Sequence, residues 1–282
     1  MKNILFATDF SENAERALDF ALNLARNHGA EITMLHVFDI PTSWNYPHAE
    51  TALEMERQAV RNAEKNLAEL FQNHTRSDEI LRANYLVIGN RSVVKGILEG
   101  IEESGAEILI VGTKGESKVK ELLVGSTTKA MLNDSPVPIL AIPENITKVS
   151  FKKVVFASDF QTEDLRALTQ SISFLEPFHP EITIIHISRY DDIVSAEFVQ
   201  FFKSQIHDLI KYPNIRIEIL YADKTGKSIL NYLQQNQVDL LIMLEKDRKG
   251  LWDNLFHPDL VKKMEFHSHI PVLSFSEKHL LH

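Results

Sequence analysis

Two consecutive α/β domains, each a doubly wound, five-stranded parallel sheet with helices on both faces, are what this sequence predicts, on three observations. The chain has 282 residues, close to twice the ~150 residues of a common single domain. Short, uniformly apolar runs alternate with stretches of helical periodicity, the pattern of buried parallel strands joined by crossover helices. Finally, KNILFATDF at residues 2–10 returns as KKVVFASDF at residues 152–160, and ITMLHV at residues 32–37 returns as ITIIHI at residues 182–187. Both pairs share one offset of 150 residues, so the domain is duplicated.

In the first half, Ile4–Ala7 is too uniformly apolar for an exposed strand and reads as the first buried one. Ser11 is placed to cap the next helix, where Ala14, Ala17, Leu18, Ala21, Leu22 and Ala25 recur at helical spacing until Gly29 closes it. Ile32–Val37 is the second strand. Residues 39–47 form a loop with two prolines, Trp44 and Tyr46, leading to an amphipathic helix near Ala49–Gln72 whose apolar side is Leu53, Val60, Leu67 and Leu70. Ile80–Ile88 is expected as the third strand, a helix near Val93–Glu103 follows, and Ile108–Val111 and Val137–Ile142 complete the five, with a fourth helix between the last two.

The second half repeats the scheme, with Arg216–Tyr221, Asp239–Leu244 and Pro271–Phe275 in the later strand positions. The boundary is expected within Glu144–Ser150, giving domains of residues 1–146 and 147–282.

Composition narrows the function. An apolar fraction of 44% lets each half bury a core. The formal net charge of −9 argues against nucleic acid or an anionic membrane as the main partner. With no cysteine there are no disulfides, thiol catalysis or thiolate metal sites. No cleavable signal and no apolar run near ~20 residues is visible, so a cytoplasmic location without membrane association is expected.

The chemistry concentrates after the fourth strand, where Gly112 and Gly115 follow the apolar run and Gly125-Ser126-Thr127 stands where a helix can begin. Glycines after a buried strand let the main chain approach an anion, and the free amides at a helix start favour phosphate. The spacing is G-x2-G-x9-G-S, which fits neither the dinucleotide fingerprint nor the P-loop. Read locally, the same residues also serve as tight turns with Ser126 as an N-cap.

The spacing Gly112, Gly115, Gly125, Ser126, together with ILFATDFSENAERAL at residues 4–18, resembles the universal stress protein family. Its nucleotide-binding members carry G-x2-G-x9-G-[ST] after the fourth strand of a Rossmann-like sheet. The resemblance implies ATP binding, with Asp9 holding the ribose or adenine edge and the Val37 backbone meeting adenine. In a doubly wound sheet the carboxyl ends of the first and fourth strands open a shared crevice, which brings Thr8 and Asp9 to Gly112. Phosphates are then expected over Gly112, Gly115, Gly125, Ser126 and Thr127. Asp9 is equally suited to a divalent cation, Mg2+ or Mn2+, beside them. Lys114, Lys118 and Lys120 read either as added charge there or as solvated lysines.

Binding is better supported than turnover, because hydrolysis needs a water-positioning base and nothing beyond Asp9 offers one. The expected role is a nucleotide-dependent stress-response or signalling protein with at most slow ATP hydrolysis. A nucleotide-free interaction scaffold is the alternative, and an adenylyl-transferring or hydrolytic enzyme a third. In the second half, Leu244 and Asp247 take the places of Gly112 and Gly115, His257-Pro258 replaces Gly125-Ser126, and Glu245 with Asp247 would repel a polyphosphate. That half is expected to have lost the site.

Three other features have plain explanations. Gly226-Lys227-Ser228 resembles a P-loop tail, but Tyr221 stands where its first glycine belongs, so a helix start is expected. His257, His267 and His269 lack partners to complete a metal shell, and His36 and His186 read as satisfied structural residues beside buried strands. The fifth strands of the two halves are apolar sheet edges, so they are expected to pair as an internal pseudo-dimer, a homodimer or a protein partner being compatible with this.

Overall fold

The computed structural model describes residues 1–39, 49–76, 80–113, 135–144, 146, 148–188, 196–223, 225–245, 270–276 and 280. Among these, two compact units separate, one of residues 1–113 and 139–144, the other of residues 135–138 and those from 146 onward. Residues 135–138 precede the fifth strand in sequence yet belong to the second unit, where the Ser276 hydroxyl donates to the Ser135 carbonyl at 3.1 Å.

The first unit runs β1 (Asn3–Ala7), α1 (Glu12–His28), β2 (Glu31–Phe38), α2 (Ala49–His74), β3 (Ala83–Gly89), α3 (Val93–Ser104), β4 (Ile108–Thr113) and β5 (Ile139–Pro143). Its strands lie in the order β3-β2-β1-β4-β5 and every pairing is parallel. The second unit runs β6 (Lys153–Ala157), α4 (Thr162–Leu175), β7 (Glu181–Ser188), α5 (Ala196–Leu209), β8 (Ile215–Tyr221), α6 (Thr225–Asn236), β9 (Leu240–Glu245) and β10 (Val272–Ser276), in the order β8-β7-β6-β9-β10, again all parallel. Each is a doubly wound sheet flanked by helices. The strand order reverses at β1 and at β6, where such sheets open a crevice at their carboxyl ends.

Local signals set most boundaries. The Ser11 hydroxyl accepts from the Ala14 amide at 3.3 Å and Gly29 ends α1 in the left-handed conformation, while the six predicted apolar positions of α1 are all buried. In α4 the cap is different: the buried Asp164 carboxylate accepts from the Ser158 hydroxyl and the Asp159 amide, both at 2.8 Å, and from the Gln161 amide at 3.1 Å. Gly226 and Ser228 fall in the first turn of α6, the helix start that the sequence suggested.

Two expectations fail. Ile80 is 97% exposed and β3 begins only at Ala83. The preceding strand sets this limit, because β2 starts at Glu31 and Ile32 is already opposite Ala83. Leu53 of α2 is also exposed, whereas Leu67 and Leu70 are buried, so only the later turns of that helix meet the sheet.

The two strand-end turns are near copies. Phe10 and Phe160 both have φ of 60°, a conformation that bulky residues avoid. In each, the phenylalanine amide donates to the hydroxyl two residues back, Thr8 at 3.0 Å and Ser158 at 2.9 Å. His36 and His186 hold the Thr8 and Ser158 carbonyls through Nδ1 at 2.9 and 2.8 Å, and lie 4.6 and 4.5 Å from the Phe10 and Phe160 rings. A carbonyl only accepts, so Nδ1 carries the proton in both. The histidines are structural.

Gly112 answers a packing need. A Cβ on it would stand 2.8 Å from the Asn13 carbonyl oxygen and 3.1 Å from the Ala14 nitrogen, both backbone atoms of α1. Gly112→Ala should therefore destabilise the first unit by about 1–3 kcal/mol, the usual range for overpacking. Urea denaturation without nucleotide checks this, and an unchanged midpoint would mean that α1 moves aside freely.

Candidate functional site

The crevice of the first unit is built by chain reversal. Because β1 lies between β2 and β4, with Ala7 opposite both Leu35 and Val111, the residues just beyond these strands gather at one end of the sheet. Thr8, Asp9, Val37 and Gly112 are all there. Gly115, Gly125, Ser126 and Thr127 lie outside the described residues, as do Lys114, Lys118 and Lys120.

Each placed residue has a distinct state. Thr8 is buried, its amide donating to the Leu35 carbonyl at 2.9 Å and its hydroxyl accepting from Phe10, so it shapes the turn. Asp9 is exposed, and its Oδ1 accepts from the Ser11 amide at 3.1 Å. A carboxylate is a general acceptor, suited to a hydroxyl or a hard cation. Val37 lies within β2, which runs on to Phe38. Pairing with β1 stops at Leu35 while pairing with β3 continues to Phe38, so the β1-side edge of Val37 has no ladder partner among the described residues. Its side chain packs beneath α3, where a Cβ on Gly96 would meet it at 2.5 Å.

One residue that sequence reasoning missed is Asn13. It is 94% buried at the start of α1, and its side-chain nitrogen donates to the Thr113 carbonyl at the end of β4. Its Oδ1 meets no donor among the described residues. Buried acceptors are rarely left so, and a donor brought by a ligand or a water would satisfy this one. The only signal in the sequence was an amide at a helical position that faces the sheet. Thr113 is tied in turn, its hydroxyl donating to the Ile142 carbonyl at 3.2 Å.

The second unit lacks this arrangement. Register equates Leu244 with Gly112 and Glu245 with Thr113, and both are buried. Glu163 follows α4's first residue where Asn13 follows α1's. Asp247, His257, Pro258, His267 and His269 lie outside the described residues. Among the described residues no group of three potential metal ligands occurs, and no helix is long and apolar enough to cross a membrane.

Comparisons with known proteins agree with this fold. The family model described as the universal stress protein family matches residues 1–143. A universal stress protein of Thermus aquaticus is 29% identical over 142 residues, 50% of this chain and 98% of that protein. One from Mycobacterium tuberculosis is 29% identical over 128 residues, 45% of this chain and 43% of that protein. The crystal structure of a universal stress protein from Archaeoglobus fulgidus is similar in fold over 97% of this chain and 98% of its own, with a TM-score of 0.72 at 19% identity. With its family match, its internal repeat and its two doubly wound units, the chain belongs to the universal stress protein family as a tandem two-domain member.

Proposed function

We propose that the first domain binds one adenine nucleotide, ATP, as a stress-response or signalling switch, and that the second domain does not. The observation that carries this is the G-x2-G-x9-G-S spacing starting at Gly112, beside Asp9 at the neighbouring strand end. In this reading adenine lies along the open Val37 edge, ribose near Asp9, and the phosphates over Gly112, Gly115, Gly125, Ser126 and Thr127. Asp9 also holds Mg2+ or Mn2+ when the nucleotide brings one. Asn13 fixes the Thr113 end of β4 against α1 and so holds the start of the phosphate loop in place.

A nucleotide-free scaffold is favoured by one observation, that Gly112 is already explained by its contact with α1. Packing explains Gly112 alone. Turns and an N-cap would account for the second and third glycines and Ser126 one by one but not for their joint G-x2-G-x9-G-S spacing, which is why the nucleotide reading is preferred. Among the described residues His36 is committed to Thr8, and in this reading Asp9 is the only group nominated as a base, so binding with at most slow turnover is proposed.

Calorimetry on nucleotide-stripped protein should give one ATP per chain, with ADP and AMP weaker. Two equivalent sites would overturn the loss in the second domain, and none would favour the scaffold. Gly115→Val should abolish binding and leave the circular dichroism spectrum unchanged, while Asp9→Asn should weaken nucleotide or metal affinity by about tenfold, the loss of one charge-assisted contact. Normal binding by either variant would remove that residue from the site.

The assembly proposal rests on sheet edges. Among the described residues of its own unit, β5 pairs with β4 alone and β10 with β9 alone, leaving apolar edges that proteins otherwise cover. We propose that these strands pair as an internal pseudo-dimer. Leu140→Cys with Leu273→Cys, in a chain that has no other cysteine, should cross-link within one chain at high dilution. Cross-linking only between chains would replace the internal pairing with an exchanged dimer.

A further inference from the structure

The second domain lost the glycines but differs from the first in another place, at the amino ends of β6, β7 and β8 under α6. There a cavity of about 120 Å3 is lined by Lys153, Glu181, Thr183, Arg216, Tyr232 and Asn236, with three valines. This is space for several waters, enough for a tetrahedral or short carboxylate ion, and Lys153, Glu181 and Arg216 stand exposed along it.

Register shows what changed. Thr183 is opposite Arg216 as Thr33 is opposite Asn84, and α3 and α6 have equal lengths, so Tyr232 stands where α3 has Gly100. In the first domain a Cβ on Gly100 would be 2.7 Å from the Leu35 side chain, so the helix lies directly on the strand. Asn3, where β6 has Lys153, is bound to the Ser104 carbonyl at 2.6 Å, and Thr33 donates to Asn3 at 3.3 Å. Two amides and a glycine in one domain thus correspond to Lys153, Arg216 and Tyr232 in the other.

These three side chains are held in place. Arg216 Nε donates to the Thr183 hydroxyl at 2.8 Å and lies 3.2 Å from Glu218 Oε1, while the Tyr232 hydroxyl donates to Glu218 Oε2 at 2.9 Å. Thr183 and Tyr232 are 96% and 92% buried. Burial, followed by the Glu218 bond, raises the Tyr232 pKa, so the hydroxyl stays a donor. Glu218 does not line the cavity and its two oxygens are taken. Lys153 Nζ donates to the Asn236 carbonyl at the end of α6 at 3.4 Å, which leaves further ammonium donors. It forms no ion pair with Glu181, its partner in register. The cleft therefore brings exposed Lys153 and Arg216 together beside Glu181, with Arg216 also paired to Glu218, and the guanidinium and ammonium N–H groups not used in these bonds are the donors it offers.

We propose that this cavity is a small-oxyanion site, in which Lys153 and Arg216 bind a phosphate or carboxylate group independently of any nucleotide in the first domain. A purely structural role for the two cations would need no ligand. Carbon-13 NMR of the tyrosine ring in the full chain tests the proposal, the Tyr232 signal being assigned by Tyr232→Phe. Titration with inorganic phosphate or malonate, at ionic strength held constant with chloride, should move that signal saturably. Lys153→Gln and Arg216→Gln should each weaken the response by about tenfold or more. Saturation by either anion supports the site and identifies the preferred group. Absence of saturation by both, or an unaltered response in Lys153→Gln, overturns it. Should Arg216→Gln fail to fold by circular dichroism, Lys153→Gln decides alone. Because the signal is local to the second domain, the result stands whatever calorimetry shows for ATP.

Discussion

Both domains hang on one backbone arrangement, the carbonyl at the end of the first strand held by a histidine of the second. His36 binds the Thr8 carbonyl and His186 that of Ser158. This lets the chain leave the strand through a phenylalanine with positive φ, whose amide is taken by the side chain two residues back. A bulky residue in that conformation is strained by about 1–3 kcal/mol. The strain persists because histidine, hydroxyl and ring contact all oppose relaxation. The turn fixes where the next helix begins, and with it which backbone faces the fourth strand.

The two domains then diverge in how that helix start is used. In the first, the α1 backbone at Asn13 and Ala14 comes so close to β4 that only glycine fits at 112, and Asn13 ties the helix to Thr113. In the second, Asp164 takes over the cap and buried Leu244 replaces the glycine. One scaffold thus supports a tight crevice in one copy and a filled strand end in the other. Duplication permits this, since the strand-end turn supplies the fold and leaves the neighbouring positions free to change.

The helix that follows the third strand shows the converse. In the first domain Gly100 brings α3 onto Leu35, while in the second a cleft under α6 opens around Tyr232, Arg216 and Lys153. Polar groups gathered under a helix are costly unless each finds a partner. The bonds among Thr183, Arg216, Glu218 and Tyr232 meet that need and keep Arg216 in place, while Lys153 is tied to the Asn236 carbonyl.

Much of the fold was legible in the chain itself. The repeat at 150 residues, the apolar runs, Ser11 as cap and Gly29 as stop gave the order of elements and the doubly wound sheets, because these signals are local or depend on a strict period. The glycine pattern nominated a site by the same logic. What neighbours decide could not be read this way. The start of β3 depended on where β2 begins, so Ile80 was misplaced. The reason for Gly112 lay in a helix about a hundred residues away in sequence, and Asn13 matters because its oxygen is buried with no donor among the described residues. Pattern in sequence specifies which faces must be buried. Which side chains meet across those faces, and which polar atoms are left unmatched, is fixed only when distant segments pack.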